Sequence, residues 1–490
     1  MTRRARNPLG VLVAVATVPA LGLGALWGVA RGAVQLPVAD APDVELIARV
    51  PIGDGATAPT ELLSLRRSAP ILVRELNLDT LRGELSELGA ALNDRSCVAV
   101  SVEGLEVWSG GDAVAAIPGS VQKILVASVA PEILGDDFRF TTSVLGDINA
   151  DGVISGDLYL RGGGDPLLAS DWYPQSGVLR FPVLEHTSLD VLADRIVEAG
   201  VRTVSGDIVG DGSRYDDEVF APGWGPGVGG VDGGPIGALT ANDGLVLGDS
   251  LRQSDPAVAA ARELRRLLAD RGVNIAGGAT TGLAPAPGTV DEIASIRSAP
   301  LSSFITEILL NSHNNTAEAL VKEFGVALTG VGSRQAGLDA MAAQLERTGR
   351  DLTGSELTDG SGLSRENLLR CGLVLSVLQS ERANQVFTTS LPVLGQSGTL
   401  APLLTENVAA GRLAAKTGTL NNPPIEQDPP AAKGLAGYVP DGAGGTIEFV
   451  LLLNGPSISA TAEYLPIWDE FAEILGSYPR GPGMVELGPR

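Results

Sequence analysis

The chain has 490 residues, of which 44% are hydrophobic and 19% are charged, and this balance excludes an intrinsically disordered protein. Its length is enough for two or three domains with cores of their own. With 35 basic and 58 acidic residues the net charge is −23, which disfavours nucleic acid and anionic membrane surfaces as partners. The only histidines, His186 and His313, leave little material for a zinc site or a Ser-His-Asp triad, and we expect no metal or organic cofactor.

Residues 1–31 have the pattern of a membrane anchor. Three arginines precede an uncharged stretch, residues 7–30, which is long enough to cross a bilayer. The excess of arginine on the N-terminal side places that end inside and the rest of the chain outside. A cleaved signal peptide is the alternative, and either one exports the body of the protein. Residues 32–75 begin rich in proline and alanine, and we interpret them as a stalk.

Residues 76–140 form the first part of the predicted folded body. The stretch SCVAVSVEGLEVWSG alternates and turns like a β-hairpin. SVQKILVASVAPEIL then has apolar residues at helical spacing and follows Pro118 and Gly119. Ser120 is therefore expected near a helix N-terminus, where the helix dipole favours developing negative charge.

Residues 141–292 have a different pattern of predicted secondary structure. Short strands alternate with Gly- and Asp-containing turns around one predicted helix, DPAVAAARELRRLLADRG. We interpret them as a β-rich inserted domain. Helical character returns in residues 293–480, where RLAAKTGTL (412–420) and GTIEFVLLLNG (445–455) are predicted as neighbouring strands before a closing helix. Residues 481–490 form a tail. This order predicts a mixed α/β fold, an antiparallel sheet flanked by helices, that the insertion splits in two.

The lysines are the most informative residues, because the chain has four of them against 31 arginines. Lys123 follows Ser120 by three residues, which places both on one face of the predicted helix. Arginine stays charged in proteins, whereas a buried lysine can lose its proton and act as a base. Ser120 and Lys123 are therefore a candidate nucleophile and general base for acyl transfer.

Two further motifs complete a pattern with this S-x-x-K. Residues 312–314 are an S-x-N, and residues 416–418 are a K-T-G on a predicted strand. The three occur in the order used by penicillin-recognising serine acyltransferases. Taken alone, the S-x-N has a simpler interpretation as helix caps, and the K-T-G as an exposed strand end.

Together these motifs resemble the class C low-molecular-mass penicillin-binding proteins, the D-alanyl-D-alanine carboxypeptidases and endopeptidases of serine peptidase family S13. The likeness covers roughly residues 75–480 and includes five further blocks in family order, GDLYLRGGGDPLL, GDIVGDGSRYDDEVFAPGW, DGSGLSRENLL, LPVLGQSGTL and LAGYV. The resemblance implies a transpeptidase-like domain and a serine DD-peptidase that acts on peptidoglycan stem peptides and is inhibited by β-lactams.

The resemblance also implies a set of site residues, namely the catalytic Ser120, Lys123 and Ser312 and the substrate-binding Asn314, Lys416, Thr417, Gly418 and Thr419. Ser312 is expected to relay a proton to the leaving amine, and Asn314 to hold the substrate amide and position Lys123. The K-T-G strand is expected to bind the terminal carboxylate of the peptide. Backbone N–H groups of Ser120 and Thr419 are expected to form the oxyanion hole.

Other residues near the motifs are expected to play lesser parts. We expect His313 to be only the variable middle residue of the S-x-N, and Lys322 and Lys433 to be solvated. Residues 359–362, Asp-Gly-Ser-Gly, are expected to form a turn that supports the cleft. Gly119 stands where alanine is commoner in the family, a difference that we expect to matter little.

Some questions stay open on the sequence alone. The Pro-rich residues 421–434 resemble an insertion beside the cleft, and residues 124–311 are short for the two inserted domains of the family. Cys97 and Cys371 form either a disulfide or two buried thiols. A catalytically weak wall-associated scaffold is the alternative function, and a β-lactamase is a third. The sequence decides neither the balance of carboxypeptidase and endopeptidase activity nor the oligomeric state.

Overall fold

The computed structural model of the chain describes residues 65–225, 228, 232–421, 431–442 and 444–487. Its α-helices are α1 Leu65–Ala91, α2 Lys123–Leu134, α3 Leu189–Glu198, α4 Pro256–Asp270, α5 Leu301–Thr306, α6 Asn314–Thr329, α7 Arg334–Arg347, α8 Cys371–Glu381, α9 Gln385–Thr389, α10 Thr461–Gly476 and α11 Met484–Leu487. Its strands are β1 Cys97–Val102, β2 Leu105–Gly110, β3 Ala115–Ala116, β4 Thr141–Leu145, β5 Val153–Ile154, β6 Leu158–Arg161, β7 Leu168–Ala169, β8 Thr187–Ser188, β9 Thr203–Val204, β10 Ile208–Asp211, β11 Asn274–Ile275, β12 Ala279–Thr281, β13 Glu292–Arg297, β14 Leu369–Arg370, β15 Ala414–Leu420, β16 Ala431–Pro440 and β17 Thr446–Gly455.

The main sheet has the strand order β15-β16-β17-β1-β2, and every pair in it is antiparallel. Side chains alternate between its two faces. On β1, Val98 and Val100 pack towards α1 and α10, whereas Cys97 and Ala99 pack towards α2 and α8. Both faces are thus covered by helices, which confirms the predicted α/β class and the predicted hairpin of β1 and β2.

One strand relationship was wrong. The K-T-G strand β15 and the apolar strand β17 are not neighbours, because β16 lies between them and pairs with both. The sequence of β16, AAKGLAGYVP, is rich in alanine and glycine and therefore has a weak strand signal. Its small residues let helices and neighbouring strands approach closely, and all of it except the final Pro440 is buried.

A second sheet lies between α2 and α5 in the chain. Its order is β12-β10-β6-β4-β13, with parallel pairs on one side of β6 and antiparallel pairs on the other. Helices α3 and α4 pack on it around a core of their own. The sequence predicted α4 but not α3. We propose that residues 141–297 are the inserted domain, because β13 pairs with β4 and a boundary at 292 would divide that strand.

Helix α1 begins inside the predicted stalk, ten residues before its expected end. Its buried leucines, Leu78, Leu81, Leu85 and Leu88, follow helical spacing and pack against the main sheet. That spacing was the available signal for the helix. The predicted anchor, residues 1–31, lies outside the described residues, and none of the helices within them is long and apolar enough to span a bilayer.

The two cysteines form a disulfide. Cys97 on β1 is bonded to Cys371, the first residue of α8, with a Cα–Cα distance of 5.9 Å. The bond ties the central part of the main sheet to a helix on the face that also carries α2. Of the two possibilities that the sequence left open, the structure has the bridge.

Candidate active site

The predicted nucleophile lies at the start of a helix. Ser120 belongs to a 3-10 turn, Gly119–Gln122, that leads directly into α2, and Lys123 is the first residue of that helix. Ser120 lines a cleft of about 690 Å³. Lys123 is fully buried beneath it, with its Nζ 2.9 Å from Ser120 Oγ.

Lys123 has three hydrogen-bond partners, and their chemistry fixes the direction of its lone pair. Besides Ser120 Oγ, its Nζ contacts Asn314 Oδ1 at 2.7 Å and the carbonyl oxygen of Ser361 at 2.5 Å. These two oxygen atoms can only accept, so a neutral amine directs its two N–H bonds at them. The lone pair is then left to accept from the Ser120 hydroxyl, as a general base for a serine nucleophile requires.

The surroundings of Lys123 favour the neutral amine. Burial lowers the pKa of Lys123 to about 7, although the carboxylates of Asp359 and Glu318 act in the opposite direction. The amine is therefore balanced between its two forms near neutral pH, where a general base is most effective.

Lys416 and Ser312 form a second pair. Lys416 lies on β15, as predicted, with its Nζ 2.9 Å from Ser312 Oγ and 3.0 Å from the carbonyl oxygen of Thr417. Lys416 is completely buried, so the interpretation of the K-T-G as an exposed strand end was wrong. Burial lowers the pKa of Lys416, and the nearby Lys123 lowers it further.

Ser312 has an uncommon backbone conformation. It follows a π-helical turn, Glu307–Asn311, and its φ of 61° lies in the left-handed region. Non-glycine residues adopt this region at a cost, and π-helical turns occur often at functional sites. The turn separates α5 from α6, and Ser312 lines the cleft.

Asn314 is the first residue of α6, but neither it nor Ser312 caps the helix. The cap is His313, whose side chain accepts from the backbone N–H of Thr316. The interpretation as helix caps was therefore wrong for Asn314, whereas Ser312 is the C-cap of the preceding π-helical turn but not a cap of α6. The amide nitrogen of Asn314 donates to the carbonyl oxygen of Asp232, which turns its Oδ1 towards Lys123.

His313 contacts a buried carboxylate in addition to capping α6. Its Nε2 lies 3.5 Å from the buried carboxylate of Asp243, which also accepts from Tyr173 and Asn315. Burial disfavours the charged form of His313, but the Asp243 carboxylate outweighs this and raises the pKa of the imidazole. The S-x-N turn is thereby attached to the segment that precedes α4.

Two glycines let the nucleophile turn and the K-T-G strand approach closely. Gly119 has a φ of 53°, and a Cβ atom there would lie 2.9 Å from the backbone nitrogen of Thr419. A Cβ atom at Gly418 would lie 2.2 Å from the carbonyl oxygen of Pro118. In the present backbone an alanine at residue 119 would meet both an unfavourable φ and this close contact, so the turn or the strand would have to shift.

Of the predicted substrate-binding residues, the structure brings Asn314, Thr417 and Thr419 to the lining of the same cleft, whereas Lys416 and Gly418 do not line it. Thr417 and Thr419 line it together with Ser120, Ser312 and Asn314. Thr417 Oγ1 donates to Thr399 Oγ1 at 2.8 Å. The wider walls carry three arginines, Arg180, Arg252 and Arg365, together with the carboxylates of Asp232 and Asp243.

The Asp-Gly-Ser-Gly turn, residues 359–362, supports the cleft, as we expected. A Cβ atom at Gly362 would lie 1.9 Å from the carbonyl oxygen of Gly119, so the turn lies directly against the nucleophile. The buried Asp359 carboxylate accepts from the backbone N–H groups of Gly362 and Ser364 and from the indole of Trp224.

Sequence reasoning missed the contact of the Ser361 carbonyl with Lys123. It also missed the buried Glu318, whose Oε1 accepts from the backbone N–H groups of Gly360 and Ser361 at 3.0 and 2.8 Å. Glu318 lies one helical turn after Asn314 on α6, which was the only available signal.

Lys322 and Lys433 are buried, so the expectation that they are solvated was wrong. Lys322 donates to Asp216 Oδ1 and to the carbonyl oxygen of Glu218, both at 2.6 Å. Lys433 lies over the ring of Tyr464 and donates to Asn421 Oδ1 at 2.8 Å. Of the Pro-rich segment 421–434, residues 422–430 lie outside the described part of the chain.

Within the described ranges, no group of three or more His, Cys, Asp or Glu side chains is placed to hold a metal ion. The site itself offers amines, hydroxyls, an amide and backbone groups. They provide a serine with a base, a second serine with a second amine, and a strand edge beside both.

Comparison with known proteins points to the same chemistry. The model of the D-Ala-D-Ala carboxypeptidase 3 (S13) family matches residues 85–253 and 236–473. Carboxypeptidase DacB of Mycolicibacterium smegmatis is 30% identical over 433 residues, which are 82% of this chain and 85% of that protein. The D-alanyl-D-alanine carboxypeptidase of an Actinomadura species is 29% identical, over 79% of this chain and 82% of that protein.

A solved structure confirms the fold. Penicillin-binding protein 4 of Haemophilus influenzae superposes with a TM-score of 0.65 at 22% sequence identity. The match covers 79% of this chain and 97% of the other. The family match spans most of the chain and includes all three motifs. The resemblance inferred from the sequence is thus confirmed, and the chain belongs to the D-Ala-D-Ala carboxypeptidase S13 family.

Proposed function

We propose that the chain is a serine DD-peptidase that cleaves the terminal D-Ala-D-Ala bond of peptidoglycan stem peptides through an acyl-enzyme on Ser120. The observation that carries the proposal is the set of contacts around Lys123. Two pure acceptors occupy its N–H bonds, and its lone pair faces the Ser120 hydroxyl. Family membership and the names of the Mycolicibacterium and Actinomadura relatives support the substrate class.

In the acylation step, Ser120 Oγ attacks the carbonyl carbon of the penultimate D-alanine while its proton moves to Lys123 Nζ. The negative charge that develops on the carbonyl oxygen is stabilised by the backbone N–H groups of Ser120 and Thr419. One such donor contributes about 3 kcal/mol in enzymes of this kind. The close approach of Gly119 to the Gly418–Thr419 backbone supports this assignment.

The leaving D-alanine needs a proton on its nitrogen. The proton that Lys123 took from Ser120 has to reach that nitrogen, and Ser312, which contacts Lys416 and lies beside Asn314, would relay it. Lys123 is then neutral again, and Lys416 has given up no proton. Lys416, Thr417, Gly418 and Thr419 bind the terminal carboxylate, and a bound anion favours the charged form of Lys416. Water then hydrolyses the ester, with Lys123 again taking the proton.

The proposal places the catalytic body outside the cytoplasmic membrane. Residues 1–31 would anchor it there, or would be removed if the segment is a signal peptide. The disulfide supports this location, because such bonds persist mainly in oxidising compartments. β-Lactams are expected to acylate Ser120 in place of the peptide, and a related fold has been solved with a β-lactam bound.

The test is the intact mass of the full chain, purified in detergent, after incubation with benzylpenicillin. We expect one adduct per chain in the parent and none in Ser120→Ala. Absence of an adduct from a folded parent would overturn the proposal and favour a scaffold. Rapid turnover of nitrocefin by the parent would instead indicate a β-lactamase.

A further inference from the structure

Glu318 is a buried acid that the proposed mechanism does not use. It lies on α6, fully buried, and none of its atoms lines the cleft. Among the described residues, the N–H groups of Gly360 and Ser361 donate to its Oε1, and the Nε of Arg334 donates to its Oε2. Removing a carboxyl group from water is costly even when hydrogen-bond donors partly offset the cost, so its position needs an explanation.

The two N–H groups belong to the backbone on either side of Gly360, directly before the Ser361 carbonyl. The peptide unit after Gly360 carries the Ser361 N–H, and the following peptide unit carries the Ser361 carbonyl that accepts from Lys123 at 2.5 Å. By accepting from two successive N–H groups, Glu318 Oε1 fixes the orientation of the backbone at Ser361. The carbonyl oxygen is thereby aimed at Lys123.

This orientation matters because Lys123 has only two acceptors for its N–H bonds. If the Ser361 carbonyl rotated away, the amine could turn and its lone pair would leave the Ser120 hydroxyl. The other acceptor, Asn314, is four residues before Glu318 on the same helix. One turn of α6 therefore positions both acceptors. It carries Asn314 itself, and through Glu318 it holds the backbone of residues 360 and 361.

We propose that Glu318 is a positioning residue for the general base Lys123, acting through the Gly360 and Ser361 backbone. The inference rests on the acyl-enzyme chemistry proposed above. It requires only that Oε1 accept two hydrogen bonds, which a carboxyl group does in either protonation state. A glutamine at this position keeps that oxygen, whereas an alanine removes it.

The chain offers a matched control on the same helix. Glu323 is also buried and also pairs with an arginine, Arg214, and with the hydroxyl of Tyr215. Its described contacts do not include the turn at residues 359–362. Glu323→Ala therefore removes a comparable buried carboxylate without changing the support of Lys123.

The experiment measures acylation of the full chain by a fluorescent penicillin under rapid mixing, at a temperature where thermal melts show every variant folded. Saturation separates the dissociation constant of the first complex from the acylation rate constant. We expect Glu318→Ala to lower the rate constant by about 100-fold, the typical effect of misplacing a catalytic group by about 1 Å. The dissociation constant should not change, because the K-T-G strand does not contact Glu318.

Glu318→Gln should restore most of the acylation rate, and Glu323→Ala should acylate like the parent. An unchanged rate constant in Glu318→Ala would overturn the inference. So would equal losses in Glu318→Ala and Glu323→Ala, or a Glu318→Gln variant as slow as Glu318→Ala. If the parent itself forms no adduct, the proposed function fails. That outcome differs from the three above, in which the parent is acylated and only the variants are compared.

Discussion

Lys416 Nζ and Ser312 Oγ lie 2.9 Å apart, which joins the K-T-G strand to the S-x-N turn across the floor of the cleft. In the proposed mechanism, Lys416 acts both on the terminal carboxylate of the substrate and on the Ser312 hydroxyl. Only the first role requires a carboxylate on the substrate, so peptides with and without a terminal carboxylate separate the two roles.

We expect Lys416→Met to lower kcat/KM for a peptide ending in D-Ala-D-Ala by about 10- to 100-fold, because it loses a charge-assisted hydrogen bond of about 1.5–3 kcal/mol. The same peptide with a C-terminal amide has no carboxylate to lose, so its kcat/KM should fall much less. Release of D-alanine or D-alaninamide measures both. Equal losses for the two peptides would mean that Lys416 acts only through Ser312.

Acylation should depend on pH through Lys123. Its pKa of about 7 means that the amine gains a proton as the pH falls below that value and then has no lone pair for Ser120. The acylation rate constant should therefore be constant above about pH 8 and fall tenfold per pH unit well below 7. Burial lowers the pKa of Lys123 to this value, and the nearby Asp359 and Glu318 act in the opposite direction.

Stopped-flow acylation between pH 5.5 and 8.5 measures this profile. Lys123→Arg should be inactive throughout, since a guanidinium does not lose its proton in this range. A profile that stays flat down to pH 5.5 would show that Lys123 is not the base.

Gly119→Ala should impair both stability and acylation. A side chain at a φ of 53° costs about 1–2 kcal/mol, and the new Cβ atom would also push against the Thr419 nitrogen. Displacing that nitrogen from the oxyanion hole should lower the acylation rate constant by about 10- to 100-fold.

Gly135→Ala is the control for this change. Gly135 follows the other end of α2 with a φ of 85°, and a Cβ atom there meets nothing within 4 Å. It should lose stability but acylate normally. Equal acylation by the two variants would show that the approach of the turn to β15 does not matter for catalysis.

The disulfide should contribute substantially to stability. Cys97 and Cys371 are 274 residues apart in sequence, and removal of a native bridge typically costs about 2–5 kcal/mol. We expect the double variant Cys97→Ala and Cys371→Ala to unfold at lower urea concentration while its folded fraction still reacts with penicillin. Reduction of the parent should have the same effect, and an unchanged midpoint in both cases would contradict the prediction.

The parts of the site that the sequence predicted are those encoded by local spacing. Ser120 and Lys123 are one helical turn apart, and the K-T-G lies on a strand, so short-range geometry was enough to propose them. The order of the three motifs then gave the family. The hairpin of β1 and β2 followed in the same way from alternation and a turn.

The parts that were not predicted depend on long-range contacts. Lys322 and Lys433 resemble surface residues in sequence, and only the tertiary structure shows the Asp216 carboxylate and the Tyr464 ring that cover them. Glu318 lies in an ordinary helix and meets residues 360 and 361 only after the chain has folded. β16 is composed of weak strand formers, and its place in the sheet is decided by its two neighbours.

The burial of the lysines also determines how the chain reacts with general amine reagents. All four of its lysines are at most 4% exposed, and Lys123, Lys322 and Lys416 are not exposed at all. A succinimidyl ester should therefore reach the lysine side chains only as the fold opens. Amine labelling consequently reports unfolding of this protein, and lysine-directed cross-linkers or resins will not attach to its native surface.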